Sequence, residues 1–139
     1  MQIQQENVTI STQGRCLLNI TKEIEHLVNK TNTTHGICQI FLKHTSASLI
    51  LCENSDPAVR HDLEAFMDRL VPDGDKLFTH NEEGPDDMPA HIRTILTQNS
   101  LMIPITAGKL ALGTWQGIFL WEHRLVPHQR QLVITVLGQ

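Results

Sequence analysis

Polar and apolar positions alternate near the start of the chain, where Ile3, Val8 and Ile10 stand among polar residues, and this stretch predicts a first strand. Gly14 turns the chain into Arg15–Ile20, in which Cys16, Leu18 and Ile20 share one parity, as a half-buried strand requires. The period then changes. Ile24, Leu27 and Val28 fall on one face of a short helix that Thr21 is placed to cap. The apolar run Ile37–Cys52 is too long for one ordinary strand. The polar trio His44-Thr45-Ser46 divides it into strands over Gly36–Lys43 and Ala47–Glu53.

Asp56-Pro57 supplies an N-cap followed by proline at the first helical position. Val59, Leu63, Phe66, Met67 and Leu70 follow at helical spacing, which predicts an amphipathic helix. Pro72–Pro85 is rich in Asp, Gly and Pro and reads as a loop interrupted by Leu77-Phe78. Asp86 or Asp87 then caps a third helix, with Pro89 in its first turn and Met88, Ile92, Ile95 and Leu96 as its stripe. Leu101–Thr106, Gly117–His123 and Gln131–Leu137 read as strands punctuated by Gly108, Gly113 and Pro127. Three helices among some seven strands, without regular strand–helix alternation, predict an α+β fold with largely antiparallel sheets in one domain, 1–139.

Composition agrees with a packed domain: 40% hydrophobic against 19% charged residues is globular rather than disordered. Unbroken apolar runs such as Leu49–Cys52 are far too short to span a membrane, and the polar opening has no signal core. These features predict a cytoplasmic protein with no membrane association. Cys16, Cys38 and Cys52 are odd in number and lack Cys-x-x-Cys spacing, which fits reduced thiols in that compartment. The net charge of −4 is concentrated between residues 73 and 87, where six acids oppose Lys76 alone. No Lys/Arg cluster is present to follow a phosphate backbone, so a nucleic-acid partner is not expected.

The eight histidines carry the candidate chemistry. His44 shares parity with Cys38, Ile40 and Leu42 and is expected to point inward at a strand end, beside the hydroxyls and backbone of Thr45 and Ser46. That corner suits an anion or a metal; it also suits a polar hairpin turn. Asp87 and His91 stand at i and i+4, so a helix places them on one face near its N-terminus. That pair could be a metal-ligating histidine with its carboxylate acceptor or a direct His/Asp ligand pair, while Asp87 alone could equally be a helix cap. Glu53 ends one apolar strand and Glu122 interrupts another, and either could serve as a general base beside a histidine. Gln116 and Glu122 share parity but are separated by ~20 Å of strand, too far to line one small pocket of one straight strand. The chain has no Gly-x-Gly-x-x-Gly, no phosphate-loop Gly-Lys-Ser/Thr, no Gly-x-Ser-x-Gly and no His-Glu-x-x-His.

Taken in order, His44-Thr45-Ser46, Glu53-Asn54-Ser55-Asp56-Pro57, His80-Asn81, Asp87-Met88-Pro89-Ala90-His91, Gly113-Thr114-Trp115-Gln116, Glu122 and Arg130 resemble the YjbQ (UPF0047) family over essentially the whole chain. The resemblance implies a homotrimer with a histidine-containing pocket for a metal or an anion. It also implies a secondary thiamine-phosphate synthase activity, joining a pyrimidine diphosphate to a thiazole phosphate with loss of pyrophosphate. The residues it marks are His44, Glu53 and Glu122 for catalysis, and Thr45, Ser46, Asn54, Asn81, Thr114, Gln116 and Arg130 for ligand binding. It marks His44, His80, Asp87 and His91 for a divalent metal. Imidazole ligands favour a Zn- or Mn-like ion, whereas diphosphate chemistry ordinarily uses Mg2+. The leading expectation is an enzyme acting on a small phosphorylated metabolite. A non-catalytic trimer that captures a small anion and a metal-dependent hydrolase are the alternatives. His44, His80 and His91 are expected to converge, and Leu101–Ile105 and Phe119–Trp121 to supply apolar surface for the trimer.

Overall fold

The computed structural model describes residues 1–139 and resolves the pattern into eight strands and three helices. In chain order these are β1 (Gln2–Ser11), β2 (Cys16–Asn19), α1 (Thr21–Lys30), β3 (His35–Leu42) and β4 (Ala47–Glu53). Then come α2 (Pro57–Leu70), α3 (Asp87–Leu96), β5 (Ser100–Thr106), β6 (Lys109–Leu110), β7 (Gln116–Glu122) and β8 (Gln129–Gly138). Five strands pair in the order β1-β8-β3-β5-β6 and three in the order β2-β7-β4, every pair antiparallel. No helix is long and apolar enough to cross a membrane.

The two sheets face each other across the main core. Cys38, Ile40 and Leu42 of β3, with Leu132, Ile134 and Val136 of β8, meet Leu49, Ile118 and Leu120 of the smaller sheet. Ile24, Leu27 and Val28 of α1 complete this cluster. Each fully buried aliphatic side chain contributes roughly 1.5–3 kcal/mol relative to exposure. Burial also pushes the Cys38 thiol up to about 11, so it packs as an inert apolar group. The smaller sheet is covered on its other face too, where Met67 and Val71 pack on Trp121 with Leu63 and Ile92 beside them. Consequently β7 is buried from Gly117 to Glu122 without alternation.

Alternation along β7 still decides the direction of its polar side chains. Glu122 shares parity with Ile118 and Leu120 and points between the sheets, while His123 follows Trp121 toward the helices. Gln116 and Glu122 lie at opposite ends of the strand, paired with Glu53 and Ala47 respectively.

Several expectations change. Thr21 does not cap α1: it is already helical, Ile20 at the N-cap position offers no side-chain cap, and Asn19 Oδ1 accepts from Thr21 N at 3.0 Å. Phe66 and Leu70 of α2 are exposed, and so are Ile95 and Leu96 of α3. The face that α3 buries is Asp87, Ala90, Arg93 and Thr94, because Arg93 and Asp87 reach charged partners on neighbouring segments. Leu101, Ile103, Ile105, Phe119, Leu120 and Trp121 are all buried within the chain, so Met102 is the one large apolar side chain those segments leave exposed for assembly.

Candidate metal centre

At the end of the smaller sheet where β4 begins and β7 finishes, three segments converge. His80 comes from the acidic loop, Asp87 and His91 from the first turns of α3, and Thr45 from the turn between β3 and β4. Their four-residue spacing puts Asp87 and His91 on one helical face. Gly84 lets the loop turn into that helix: its φ is +109°, and a Cβ there would lie 3.1 Å from Asp86 Oδ1.

His80 Nε2 lies 2.7 Å and His91 Nε2 3.2 Å from the same oxygen, Oδ2 of Asp87. The three ligand atoms all stand within 4.8 Å of one another, and the two imidazole centroids are 5.3 Å apart. The other nitrogen of His91, Nδ1, is 2.8 Å from the carbonyl oxygen of Thr45. A carbonyl has no proton to give, so Nδ1 carries one and donates it. In the neutral ring this leaves the lone pair of Nε2 facing a carboxylate oxygen. Two lone pairs in that position require a cation or a second proton between them.

Asp87 is buried, and desolvation alone would push its carboxyl up. The hydrogen bond from His80, with the charge of Arg124 behind it, outweighs this and holds it below the usual carboxylate range. It is therefore an anion. Its second oxygen, Oδ1, is 3.0 Å from Nη1 of Arg124, which leaves Oδ2 alone for the two histidines. Asp86, at the N-cap position, makes no side-chain cap. Its Oδ2 accepts from Arg124 Nε and from Leu125 N, each at 2.9 Å.

Two imidazole nitrogens and one carboxylate oxygen form a set that Zn2+, Fe2+ or Mn2+ accepts, with positions left over for a further ligand. The Thr45 carbonyl orients His91 as a ligating histidine is ordinarily oriented, through its other ring nitrogen. The residues present thus fit a divalent metal. A cleft of about 310 Å³ adjoins the group, lined by His80, Asn81, Lys76, Phe78 and Met88 among others.

The remaining candidates form two other groups. Glu122 and Arg130 meet between the sheets: Arg130 Nε donates to Glu122 Oε1 at 2.8 Å, and Nη2 donates to Oε2. Thr12 Oγ1 at 2.7 Å and the Arg124 amide at 3.2 Å take the rest of that carboxylate. Burial raises the Glu122 carboxyl, but these partners, Arg130 foremost, bring it below its ordinary value. An ionised carboxylate with both oxygens engaged acts as an anchor, not as a free base. Arg130 also holds Ser46, through its carbonyl at 3.1 Å and its hydroxyl at 3.0 Å. His44 does not join His80 and His91: its Nε2 accepts from the Gln131 amide at 2.7 Å. The reason is the turn itself, which directs the Thr45 carbonyl to the histidine cluster and the neighbouring ring to β8.

At the far end of the smaller sheet, Glu53 accepts from the amides of Ser55 and Asp56. Asn54 Nδ2 donates to the carbonyls of Thr114 and Gln116, each at 3.3 Å, and Gln116 Oε1 accepts from Gly113 N at 2.8 Å. Glu53 and Gln116 pair across β4 and β7 there, about a strand length from the histidines. Sequence reasoning missed Arg124, Asp86 and the backbone role of Thr45. Nothing local to Arg124 announces the partners of its side chain, which lie 37 positions and more away. It also missed His123, which is fully buried with Nε2 2.8 Å from Ser48 Oγ.

The family model for UPF0047 protein YjbQ-like sequences matches residues 6–139. A UPF0047 protein of Synechocystis is 50% identical over 135 residues, spanning 97% of this chain and 92% of that protein. The UPF0047 protein YjbQ of Escherichia coli O157:H7 is 42% identical over 136 residues, spanning 97% and 98%. Among solved structures, an uncharacterised conserved protein of the YjbQ/UPF0047 family from Clostridium acetobutylicum superposes with a TM-score of 0.87 at 29% identity, over 95% of this chain and 99% of its own. A hypothetical protein of Aeropyrum pernix gives 0.89 at 26% identity, over 98% and 99%. With a family model matching residues 6–139 and relatives of this closeness along nearly the full length, the chain belongs to the YjbQ/UPF0047 family.

Proposed function

We propose that this protein binds a divalent metal through His80, Asp87 and His91 and acts there on a small phosphorylated metabolite. One observation carries the reading: His91 has its proton drawn to Nδ1 by the Thr45 carbonyl while Nε2 faces the ionised Asp87. A bound divalent ion would fill that gap and supply Lewis acidity toward a phosphoryl oxygen. The chain's own residues do the rest. His80 and Asn81 stand at the mouth of the adjoining cleft, and Lys76 on its wall offers a cation to an anionic group. Phe78 and Met88 give the same cleft an apolar side for the body of a small substrate.

Thiamine-phosphate formation is the finer reading that the family resemblance brings, and it is the first reaction to assay. The imidazole-rich donor set favours a second reading, hydrolysis of a phosphate ester, because it suits Zn2+ or Mn2+ better than Mg2+. A homotrimer in the cytoplasm is the proposed form of the protein, again on the resemblance.

The test begins with metal content of the purified protein and titration of the metal-free form with Co2+, in wild type and His91→Ala. Thiamine-phosphate formation and release of phosphate from a panel of small esters follow in the same two proteins. The expected result is one ion per chain, a Co2+ absorption band absent from His91→Ala, and turnover lost in that variant. Wild type that binds neither Zn2+ nor Co2+ would leave the gap filled by a proton, as an imidazolium–carboxylate pair, and end the metal reading. Metal binding without turnover of any ester would favour a non-catalytic anion-binding protein.

A further inference from the structure

The segment that supplies His80 has little to hold it. Between His80 and Asp87 the chain reads Asn-Glu-Glu-Gly-Pro-Asp, with no large apolar side chain to bury. Its own backbone hydrogen bonds are long, Gly84 N to Asn81 O and Asp87 N to Gly84 O both measuring 3.4 Å. Against this, Arg124 spreads three nitrogens over three successive parts of the segment. Nη2 donates to Glu83 O at 2.8 Å and Nε to Asp86 Oδ2 at 2.9 Å, while Nη1 forms an ion pair with Asp87 Oδ1 at 3.0 Å. The same residue's amide is fixed on Glu122, itself clamped by Arg130 between the sheets. The guanidinium therefore ties this loop to the buried Glu122–Arg130 pair.

Resting on the metal reading above, we propose that Arg124 is the positioning residue of the metal centre. It folds the His80 segment back over the start of α3 and restricts Asp87 to a single ligating oxygen. The second half follows from occupancy: with Oδ1 held by Nη1, only Oδ2 faces His80 and His91. Without Arg124 both oxygens are free, and a carboxylate with two free oxygens can chelate, which raises the coordination number. Electrostatics point the same way, since Asp86 and Asp87 are adjacent anions and Arg124 is the one arginine paired with both. Lysine cannot replace it, because one ammonium cannot reach three divergent acceptors as a planar guanidinium does.

The test compares wild type, Arg124→Lys and Arg124→Ala, with Co2+ alone as the probe and thermal unfolding of the metal-free proteins to confirm folding. In Arg124→Lys, Co2+ affinity measured by chelator competition is expected to fall ~10–100-fold, the usual effect of losing an outer partner of a metal ligand. The visible Co2+ band is expected to weaken as the coordination number rises, a change that general destabilisation does not produce. A second readout needs no metal. The rings of His80 and His91, 5.3 Å apart, should give ring–ring nuclear Overhauser effects in wild type that Arg124→Lys loses. Wild-type affinity and an unchanged band in a folded Arg124→Lys would overturn the proposal. If wild type takes up no Co2+, the metal reading fails by itself, and the Overhauser contact still decides the strap: its persistence in Arg124→Lys overturns it. Should Arg124→Ala not fold, the lysine variant carries the decision.

Discussion

Thr45 and His91 stand 46 positions apart, yet the backbone carbonyl of the first accepts a hydrogen bond from Nδ1 of the second at 2.8 Å. That contact fixes which nitrogen of His91 is free to bind, and it comes from a main-chain atom that substitution at residue 45 leaves in place. Changing the ring is the direct test. His91→Ala is expected to weaken Zn2+ binding by more than ~100-fold, beyond the effect of losing an outer partner. Its half-exposed ring leaves only a small gap, so the metal-free protein should lose no more than ~1–3 kcal/mol in urea unfolding. A variant that is destabilised but keeps wild-type metal affinity would contradict the assignment.

Metal should also stabilise the folded chain. An ion that binds only the native state at 100 times its Kd adds about 2.7 kcal/mol. Thermal unfolding of wild type is expected to move up by several degrees with Zn2+ and return with chelator. Asp87→Asn, which removes the shared anion, should show no such shift.

The pH dependence of stability has a specific source. Burial, reinforced by the charges of Arg93, Arg15 and Arg130, pushes the His123 imidazole down to about 3. The unfolded chain titrates near the ordinary value of 6.5, so between these limits it binds a proton that the folded chain refuses. Stability is therefore lost as pH falls from 6.5 toward 3. His44, lowered by burial and then by Arg130, acts in the same direction. Asp86, Asp87 and Glu122, held low in the folded protein, add their losses only near and below pH ~4. Urea unfolding between pH 7 and 5 should show a slope of up to ~1.4 kcal/mol per unit from His123, flattened in His123→Gln. Identical slopes in the two proteins would remove His123 as the cause.

Arg93 is completely buried against α2, with Nη2 donating to Asp68 Oδ1 at 2.8 Å while Nε and Nη1 make no hydrogen bond, Nη1 standing 3.7 Å from Glu64 Oε2. Its stem fills space, but two nitrogens without a hydrogen bond offset much of its pairing. Arg93→Met keeps the volume and removes the orphans, and should lie within ~1 kcal/mol of wild type. Arg93→Ala leaves a cavity and should cost ~2–4 kcal/mol. Equal losses in the two variants would mean that the charge, not the packing, holds this helix.

Assembly can be read from mass. The proposed homotrimer predicts three times 15.7 kDa by light scattering at micromolar concentration. Its apolar contribution must come from residues left outside the core, such as Met102 and Ile95, at 61% and 80% exposure. A monomeric mass would refute the trimer.

Much was legible in the chain because it is set by near neighbours. Strand parity placed Cys38, Ile40 and Leu42 in the core, Asp56-Pro57 located the start of α2, and the i, i+4 spacing put Asp87 beside His91. The helical stripes were less reliable. Ile95 and Leu96 look like core residues by periodicity, but the rotation of α3 answers to Arg93 and Asp87, whose partners are distant in sequence.

By itself, then, the sequence determined the α+β class, nearly every element and the helical half of the candidate metal centre, since these follow from backbone periods and local caps. Tertiary structure alone decided that His80 joins that half while His44 turns to β8, that Glu122 is clamped by Arg130, and that Arg124 closes over Asp87. The physical reason is range. A period or a cap acts over a few residues of one segment, whereas an ion pair or a carbonyl contact needs two segments already docked, and only the packing of the sheets against α3 sets which ones meet.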